Sequence, residues 1–435
     1  MHDPKVLREQ GDAIRAGVMK KAGAIPPQLD RFYELDKDRL ALLHEADALK
    51  QQRNAASEEI ARLKKDGADA SAKIAAMKVV SDLIKELDGR LRAVEEELDE
   101  AVLWIPNVPD KSVPEGRDSA ANVEVASWGK LRTYDFTPKP HWEIAAALGI
   151  VDFERGPKLA GSGFPLFVGD GAKLVRALID FMLDLHVEKH GYVEVHPAIA
   201  INSRSLKGTG QLPKMADDMY KIEGEDLWLN PTAEVPVTNI YADEILEVGM
   251  VPRYLTSYCP SFRKESGAYG KDTRGIQRLH QFDKVELVKF VAPETSYDEH
   301  ERLRTDVQDV LEALGLPYRV LLLCAGDMSF AAAKCYDFET WAPGQQAWLE
   351  VSSCSNFESF QARRAGIRFR REAGAKPEFV HTLNASGLAL PRIVITILEQ
   401  NQEADGRVRL PKAIVPYMRG QEWLAPRAQG TKIGA

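Results

Sequence analysis

The sequence predicts an α+β protein in which an elongated helical hairpin precedes a body that contains both strands and helices. Apolar residues recur every seven positions across residues 35–105, which is typical of two coiled-coil helices. Proline and glycine then become frequent across residues 106–120, and this composition indicates a domain boundary. Beyond it, short runs alternate between apolar and polar residues, as half-buried strands do. We therefore expect an arm at residues 1–108, a linker at 109–120, a body at 121–425 and a tail at 426–435.

Two heptad rows define the predicted arm. The first row contains Leu35, Leu42, Leu49, Ala56 and Leu63, and the second contains Met77, Ile84, Leu91, Leu98 and Ile105. A turn around Gly67 separates the rows, so the two helices should run antiparallel with their apolar seams facing each other. At a rise of about 1.5 Å per residue, this hairpin should extend roughly 50 Å.

The composition is that of an ordinary globular protein and excludes several classes. The 435 residues are 44% hydrophobic and 28% charged, with a formal net charge of −8. This balance does not predict binding to DNA, although basic residues gathered locally could still contact RNA. The N-terminus has no apolar leader, and no run of about 18 apolar residues occurs, so we expect a cytoplasmic protein without a membrane partner.

The four cysteines are widely spaced along the chain. They are Cys259, Cys324, Cys335 and Cys354, and no two of them form a CxxC arrangement. Structural zinc sites and disulfide frameworks need more closely patterned cysteines. We therefore expect reduced thiols and no zinc.

The stretch from Phe262 to Glu286 carries the strongest chemical pattern. Arg263 and Glu265 are two residues apart, so on a strand they would share one face, as would Phe282 and Glu286. An aromatic ring, a carboxylate and an arginine together suit a nucleotide base, an amine and a phosphate. The simpler alternative is a surface hairpin with a charged, solvated tip.

The loop inside this stretch is rich in glycine and in basic residues. The glycines are Gly267, Gly270 and Gly275, and the basic residues are Lys271, Arg274 and Arg278. Glycine allows a backbone to approach a ligand closely, and the guanidinium fork pairs bidentately with phosphate. The loop could therefore bring cationic groups close to a polyanion.

A second pattern lies in Asn230–Pro236, where Thr232 and Glu234 are two residues apart. A small hydroxyl and a carboxylate could line a pocket for an amino acid, because a carboxylate stabilises a charged amine. The alternative is a plain helix start with Thr232 as its N-cap.

The alternating run Trp348–Asn356 predicts a strand. Glu350 and Ser352 should face one side, and Val351 and Ser353 the other. Glu350 is a candidate Mg²⁺ ligand, since this ion binds carboxylate, phosphate and water oxygens. Ser353 could join it only through a local bulge or at the strand end. The alternative is a strand with one exposed glutamate.

Two further segments combine a helix with a strand. Residues 381–400 predict a strand, a glycine-containing turn and a helix with Arg392 near its start, where the helix N-terminus adds a positive field. Leu174–His190 predicts a long buried helix that ends near Gly191, followed by a strand over Tyr192–His196.

These segments, taken in chain order, resemble the signature motifs of class II aminoacyl-tRNA synthetases. Residues 262–286 resemble motif 2, most closely that of bacterial-type seryl-tRNA synthetases. Residues 174–197 and 381–392 resemble motifs 1 and 3. The heptad hairpin, the Thr-x-Glu element at 232–234 and the Glu-x-Ser-Ser element at 350–353 are similar to the same family.

Two positions in the third motif depart from the usual pattern of that family. Ala385 and Pro391 stand where glycine is more usual. Proline at a helix start loses no hydrogen bond, so this departure does not affect the role that the resemblance implies for Arg392, which is contact with the γ-phosphate of ATP. Ala385 implies backbone strain only if its φ angle is positive.

The resemblance implies a fold, a reaction and partners. The body would be an antiparallel β-sheet flanked by helices, and two copies would form a homodimer through motif 1. The enzyme would use ATP and Mg²⁺ to convert L-serine to seryl-adenylate, and would transfer the seryl group to the 3′-terminal ribose of tRNA(Ser). tRNA(Sec) is a further candidate acceptor. The arm would contact the RNA through basic residues of its first helix and tip, the candidates being Lys50, Arg53, Arg62, Lys64 and Lys65.

The resemblance also assigns roles to the matching positions. The residues implied in catalysis are Arg263, Glu265 and Arg392. The serine pocket would contain Thr232, Ala233, Glu234, Arg263, Glu286, Asn384 and Ser386. The ATP site would contain Arg263, Lys264, Glu265, Arg278, Leu279, Phe282, Glu350, Val351, Ser352, Ser353 and Arg392, with Mg²⁺ held by Glu350 and Ser353.

Two other functions are compatible with parts of this pattern. A paralogue could form seryl-adenylate and charge an acceptor other than tRNA, but such an enzyme would not need the RNA-reading hairpin. A non-catalytic RNA-binding homologue could retain the fold, but it would not need the charged residues of all three catalytic elements together.

Overall fold

The structure, a computed structural model, describes residues 1–266 and 274–426. The described chain contains two compact units, an arm of residues 2–106 and a body that begins at Asn107. Within these residues, no helix combines the length and apolar character that a membrane span requires.

The arm consists mainly of four α-helices. They are Pro4–Glu9 (α1), Gly11–Ala22 (α2), Pro27–Lys65 (α3) and Ser71–Val102 (α4). The side chains of Leu42, Ala46 and Leu87 are buried where α3 faces α4, with Leu49 and Leu91 packed against them. The expected coiled-coil hairpin is confirmed, because the heptad residues do form the seam between the two long helices.

The turn of the hairpin and its ion pairs show that the two helices are antiparallel. Gly67 has a φ of 71°, the left-handed conformation that glycine adopts without steric cost. Lys50 Nζ lies 3.1 Å from Asp88 Oδ1, and Lys73 also forms an ion pair with Glu59. Lys50 comes before Glu59 in α3, whereas their partners occur in the opposite order in α4, so the two helices run antiparallel.

The body contains eight α-helices, five short 3₁₀ helices and seventeen strands among its described residues. Its α-helices are His141–Leu148 (α5), Gly156–Ala160 (α6), Asp170–Glu188 (α7), Ser203–Thr209 (α8), Glu234–Thr238 (α9), Ser296–Ala313 (α10), Phe360–Ala365 (α11) and Leu390–Gln400 (α12). Its strands are Val123–Trp128 (β1), Val151–Asp152 (β2), Leu166–Phe167 (β3), Val193–Glu194 (β4), Ala200–Ile201 (β5), Trp228–Leu229 (β6), Ile245–Leu246 (β7), Arg253–Phe262 (β8), Gln281–Val291 (β9), Tyr318–Leu322 (β10), Lys334–Ala342 (β11), Ala347–Asn356 (β12), Arg368–Phe369 (β13), Glu378–Phe379 (β14), His381–Ala389 (β15), Val408–Arg409 (β16) and Trp423–Leu424 (β17).

One large sheet forms the centre of the body. Its strand order is β1-β10-β11-β12-β15-β9-β8-β4, and in the described chain all neighbours are antiparallel except β4 and β8. Helices α7, α10 and α12 contribute buried residues such as Leu178, Val307 and Ile393 to a core shared with the strands. The antiparallel sheet flanked by helices that the resemblance implied is therefore confirmed.

The first motif is shorter as a strand than the sequence predicts. The long helix is present as α7, and Gly191 adopts a left-handed φ of 73° shortly after it. The predicted strand over Tyr192–His196 is limited to Val193–Glu194, which pairs in parallel with β8 at the edge of the sheet.

A bulge in β12 decides which side chains share a face. The pairing with β11 changes from Phe338 opposite Ser352 to Glu339 opposite Glu350, so Val351 is an extra residue. Ser353 lies opposite residue 337 and Glu350 opposite residue 339, two positions on the same face of β11. The bulge therefore brings Ser353 to the face of Glu350, which is the condition that the sequence left open.

The hairpin of β8 and β9 corrects one expectation. Phe282 and Glu286 share a face, as expected, because β9 keeps an unbroken register with β8. Arg263 and Glu265 do not share a strand face, because β8 ends at Phe262 and Glu265 has a left-handed φ of 51°. The loop residues Gly267, Gly270 and Lys271 lie outside the described residues.

Candidate functional site

A polar cavity opens beside the hairpin of β8 and β9. It has a volume of about 340 Å³ and lies among the residues that follow β8, the start of β9, the bulge of β12 and the junction of β15 with α12. Its lining residues are Asp218, Arg263, Glu265, Gln277, Arg278, Leu279, Phe282, Lys284, Glu350, Val351, Ser352, Ser353, Ser386, Ala389, Pro391 and Arg392. The cavity thus gathers every residue of the predicted ATP set except Lys264.

Lys264 lies beside a second cavity. This neighbouring space of about 780 Å³ is lined by Lys264 together with Trp142, Phe164 and Arg274, and it shares Arg278 with the first cavity. The Lys264 backbone N–H donates to Asp218 O at 2.8 Å, which fixes the chain immediately after Arg263.

Arg263 is held against an aromatic ring. Its guanidinium carbon lies 5.2 Å from the centre of the Phe282 ring, and its Nε donates to Pro231 O at 3.3 Å. A guanidinium over an aromatic face is an attractive arrangement that also restricts the side chain. The cavity therefore contains a positioned cation next to a flat apolar surface.

Two ion pairs lie beside the same cavity. Arg278 Nη1 lies 3.3 Å from Glu265 Oε2, and Arg392 Nη1 donates to Glu350 O at 2.6 Å. The Glu350 carboxylate also lies 3.3 Å from the Arg392 guanidinium. The left-handed backbone of Glu265 costs on the order of 1 kcal/mol, a strain that occurs preferentially at functional sites.

Both departures from the usual motif 3 are accommodated, one in α12 and the other in β15. Pro391 lies in the first turn, where it removes no helical hydrogen bond. Ala385 is buried in β15 opposite Leu287 and is not among the residues with positive φ, so the substitution implies no strain there.

A buried polar cluster adjoins the cavity. The fully buried Glu286 accepts hydrogen bonds from Thr232 Oγ1 at 3.0 Å and from Asn384 Nδ2 at 2.5 Å, and it forms an ion pair with Lys284. Lys284 Nζ also donates to Thr232 Oγ1 at 2.8 Å. Several donors on one carboxylate offset the cost of burying its charge.

Glu234 lies at the edge of this cluster with a different electrostatic environment. Gln361 Nε2 donates to its carboxylate at 2.6 Å. Burial, and secondly the charge of Glu286, raise the pKa of Glu234 to about 7. Two neighbouring carboxyl groups thus differ in character, since Glu286 has a lysine partner and Glu234 has an amide partner.

The remaining predicted pocket residues lie at the same place. Ala233 is fully buried directly before α9, between Thr232 and Glu234. Ser386 lines the cavity, and its carbonyl oxygen accepts from Ser352 Oγ at 2.6 Å. Ser386 and Lys284 border the cavity, and Lys284 also contacts the buried cluster, so the two sites are continuous.

Lys284 and Gln361 also contact this cluster, although neither was among the residues predicted from the sequence. Lys284 could have been predicted, because it is two residues from both Phe282 and Glu286 and therefore lies on the same face of β9. Gln361 gave no local signal, because its role arises from a contact with Glu234 across 127 residues of chain.

The side chains at the β12 bulge are suitable for a divalent cation. Glu350 is exposed, and Ser353 shares its face, so a carboxylate and a hydroxyl oxygen lie next to the cavity. Oxygen donors of this kind are the ligands that Mg²⁺ prefers, with phosphate and water completing its octahedron. The residues present therefore fit the metal that the sequence implied.

The basic residues of the arm differ in their availability. Lys50 already pairs with Asp88, and Arg53 is partly buried. Arg62, Lys64 and Lys65 are exposed in the last turn of α3.

Two family models match this chain. The Seryl-tRNA synthetase N-terminal domain matches residues 1–109, and the tRNA synthetase class II core domain (G, H, P, S and T) matches residues 219–401. Among curated proteins, the serine–tRNA ligase of Geotalea uraniireducens is 52% identical over 98% of this chain and 100% of its own length. That of Geobacter sulfurreducens is 53% identical, with 97% and 99% of the two chains covered.

Solved structures agree with these matches. The seryl-tRNA synthetase of Pyrococcus horikoshii, complexed with ATP, superimposes with a TM-score of 0.93 at 35% identity, over 98% of this chain and 100% of that one. The cytoplasmic enzyme of Naegleria fowleri, in complex with AMP, gives a TM-score of 0.86 at 27% identity, over 98% and 99% of the two chains. With relatives this similar along almost its whole length, the chain belongs to the seryl-tRNA synthetase family.

Proposed function

We propose that this protein activates L-serine with ATP and transfers the seryl group to the 3′-terminal ribose of tRNA(Ser). The observation that carries the proposal is the continuity of two sites in a member of this family. A cavity with three arginines opens directly onto a buried cluster of carboxylates and small polar groups. Such an arrangement suits a reaction that joins an amino acid to a nucleotide.

In the first step, a serine carboxylate oxygen attacks the α-phosphorus of ATP. The new O–P bond forms as the bond to the β-phosphate breaks, and pyrophosphate leaves with that electron pair. Arg263 would stabilise the charge that develops on the α-phosphate, because its guanidinium is already fixed beside Phe282. Arg392 and Arg278 would neutralise the β- and γ-phosphates.

The base of ATP would bind on the aromatic side of the cavity. Phe282 would stack on the adenine ring, and Glu265 would accept a hydrogen bond from the adenine amino group. The contact of Arg278 with Glu265, at 3.3 Å, would keep that carboxylate at the cavity wall. Catalysis then consists of positioning and charge stabilisation, with no covalent bond to the enzyme.

Mg²⁺ would be held by Glu350 and Ser353, where it would supply charge neutralisation for the phosphates of ATP. The Glu350 carboxylate lies 3.3 Å from the Arg392 guanidinium, so the proposed metal ligand and the proposed phosphate-binding arginine are neighbours.

Serine would be recognised by the buried cluster. Glu234 and Glu286 would bind the amine and the hydroxyl, while Thr232, Asn384 and Ser386 complete the polar wall. A pocket that hydrogen-bonds a substrate hydroxyl rejects an analogue lacking it by roughly 10⁴-fold, because its own polar groups would be left unpaired. We therefore expect strong rejection of alanine.

In the second step, a terminal ribose hydroxyl of the tRNA attacks the carbonyl carbon of seryl-adenylate, and AMP leaves. The arm would recognise the RNA by shape and phosphate contacts, for which Arg62, Lys64 and Lys65 are the exposed candidates. tRNA(Sec) is a further candidate acceptor, and a cytoplasmic location stays a prediction from the sequence.

The open edge of the sheet supports a homodimer. Strand β4 ends the sheet, and Val193 in it is 45% exposed, while Val187 in the adjacent α7 is 37% exposed. An uncovered strand with apolar neighbours is a suitable surface for a partner. Sedimentation velocity should give twice the mass of one chain, and Val193→Asp should convert the dimer to monomer. A wild-type protein that sediments as a monomer would contradict the dimer.

The test of the proposed function is serine-dependent ATP–pyrophosphate exchange, followed in the same preparation by charging of tRNA with labelled serine. Both activities together are expected. Exchange without charging would indicate a paralogue with another acceptor. Absence of both activities, in folded protein with Mg²⁺ present, would exclude the catalytic function and favour an RNA-binding homologue.

A further inference from the structure

A buried histidine lies under the returning end of the motif 2 loop. His141 is the first residue of α5 and is fully buried. The backbone N–H of Ile276, which is also fully buried, donates to His141 Nε2 at 3.2 Å. On the other side of the ring, His141 Nδ1 lies 3.0 Å from Glu399 Oε1.

These two contacts define which tautomer the His141 imidazole adopts. Nε2 must carry a lone pair, because a backbone N–H can only donate. Nδ1 therefore carries the hydrogen and donates it to Glu399. The carboxylate selects the tautomer in which His141 can accept from Ile276.

The position of the Glu399 carboxylate is fixed by several hydrogen bonds. Its Oε1 accepts from the backbone N–H of His141 at 2.8 Å and from Gln345 Nε2 at 3.0 Å. Its Oε2 accepts from the backbone N–H of Gly344 at 2.8 Å and of Gln345 at 3.2 Å. Because Glu399 lies at the end of α12, the network ties His141 to the same helix that carries Arg392 at its start.

The loop return makes two further contacts with the first turn of α5. The Arg274 guanidinium carbon lies 5.1 Å from the centre of the Trp142 ring. Gly275 has a left-handed φ of 81°, and a Cβ atom on it would come within 2.0 Å of His141 Nε2. The three consecutive residues 274–276 therefore pack against residues 141 and 142.

We propose that His141, oriented by Glu399, is a positioning residue that sets the place of Arg278 in the nucleotide cavity. Arg278 follows Ile276 by two residues, and it lines the cavity and contacts Glu265 at 3.3 Å. The inference rests on the proposed function, because it concerns how ATP is bound in that reaction. His141 does not line the nucleotide cavity, so it acts through the loop return.

A substitution that removes the acceptor at position 141 would leave the backbone N–H of Ile276 without its hydrogen bond. A buried N–H without a partner is costly, so the loop return should move to find one. A displaced Arg278 would lose charge-assisted contacts with the phosphates of ATP, and such contacts contribute to nucleotide binding. Among the described residues, no hydrogen bond or ion pair joins the predicted serine pocket to this network, so serine binding should be spared.

The experiment compares His141→Phe with His141→Gln in the full-length enzyme, using serine-dependent ATP–pyrophosphate exchange. Phenylalanine fills the space without an acceptor, whereas glutamine can present an oxygen to Ile276 and an N–H to Glu399. We expect His141→Phe to raise KM for ATP about tenfold, as the loss of one charged hydrogen bond would, and to change KM for serine by less than about twofold. His141→Gln should restore most of the ATP affinity.

Gly275→Ala and Glu399→Gln provide independent tests if His141→Phe does not fold. Gly275→Ala forces a Cβ atom against His141 and should raise KM for ATP selectively. Glu399→Gln removes the charge that selects the tautomer and should act in the same direction.

The possible outcomes separate the inference from the proposed function. If the wild-type protein has no exchange activity, the proposed function fails. If the wild-type protein is active and the folded variants keep its KM for ATP, the positioning role is refuted. A fall in kcat alone, or an equal rise of both KM values, would indicate a purely structural residue and would also refute it.

Discussion

Glu234 and Glu286 lie in one polar cluster, yet their partners give them different properties. Glu286 is surrounded by Thr232, Lys284 and Asn384, all of which donate to it, so its charge is compensated. Glu234 has one amide donor and a carboxylate neighbour, so burial and that neighbour raise its pKa to about 7. The same residue type is thus prepared for two tasks by its surroundings.

The raised pKa of Glu234 predicts a pH dependence for serine activation. Below pH 7 its carboxyl group is increasingly protonated and cannot pair with the serine ammonium, so kcat/KM for serine should fall about tenfold per pH unit. The descending limb should appear at lower pH in kcat, because bound ammonium stabilises the carboxylate. Exchange rates at saturating MgATP between about pH 5.5 and 8.5 check this.

The matched control for that profile is Glu234→Gln. The amide cannot ionise, so the variant should have lower activity and lack the limb near pH 7. A variant that retains the limb would assign the titration to another group.

Arg263 supports a prediction of magnitude. Arg263→Ala should lower adenylate formation by roughly 10²-fold or more, because one oriented donor to the developing charge is lost. Exposed Arg407, paired with Asp405, provides the control, and Arg407→Ala should leave exchange unchanged. Near-normal adenylate formation in Arg263→Ala would contradict its role.

At the level of elements, two irregular strands shape the cavity. The bulge at Val351 turns Glu350 and Ser353 to one face. A second bulge at Gly387 changes the pairing of β15 with β9 from Ser386 opposite Glu286 to Leu388 opposite Val285. Bulges re-aim side chains next to active sites, and here both lie on strands that meet at the cavity.

The bulge in β12 predicts a metal phenotype. Glu350→Gln should raise the Mg²⁺ concentration needed for half-maximal exchange by about tenfold or more, because a charged oxygen ligand is lost. Ser353→Ala should raise it less. Titration of Mg²⁺ at fixed ATP measures this, with exposed Glu372→Gln as the control. An unchanged Mg²⁺ requirement in Glu350→Gln would remove it from the metal site.

At the scale of the whole molecule, the arm and the body form separate compact units. The residues proposed to form the adenylate all belong to the body, whereas the exposed basic residues Arg62, Lys64 and Lys65 belong to the arm. This separation predicts that the two steps of the reaction can be uncoupled by substitution.

Changing Arg62, Lys64 and Lys65 together to alanine should lower kcat/KM for tRNA about tenfold and leave exchange unchanged. Phosphate contacts act electrostatically, so the salt dependence of tRNA binding should also become weaker, by roughly one unit of slope per contact. Lys78→Ala with Lys85→Ala, on the exposed face of α4, is the control pair. A larger loss in that pair would move the RNA contact to the second helix.

Periodic features were predictable from the sequence because they depend on residues close in the chain. The heptads defined α3 and α4 in advance, since a seam every seven residues needs no knowledge of the rest of the fold. The alternation of Phe282 and Glu286 likewise predicted a common face of β9. Resemblance to motif 2, motif 3 and the Glu-x-Ser-Ser element then identified most of the residues that line the polar cavity beside this hairpin.

The failures arose where hydrogen bonding between distant segments decides the local geometry. The two-residue spacing of Arg263 and Glu265 predicted a shared face on a strand, but the pairing of β8 with β9 ends at Phe262. The face of Ser353 depended on a bulge that only the register with β11 reveals.

The helical arm, the order of the motifs and the identity of the charged residues could be predicted, because they follow from local periodicity and residue chemistry. Which buried polar groups become partners depends instead on how distant segments pack. Glu234 with Gln361, and His141 with Glu399, join residues 127 and 258 positions apart. A buried polar group must be satisfied wherever the folded chain offers a donor, and that choice has no periodic signal in the sequence.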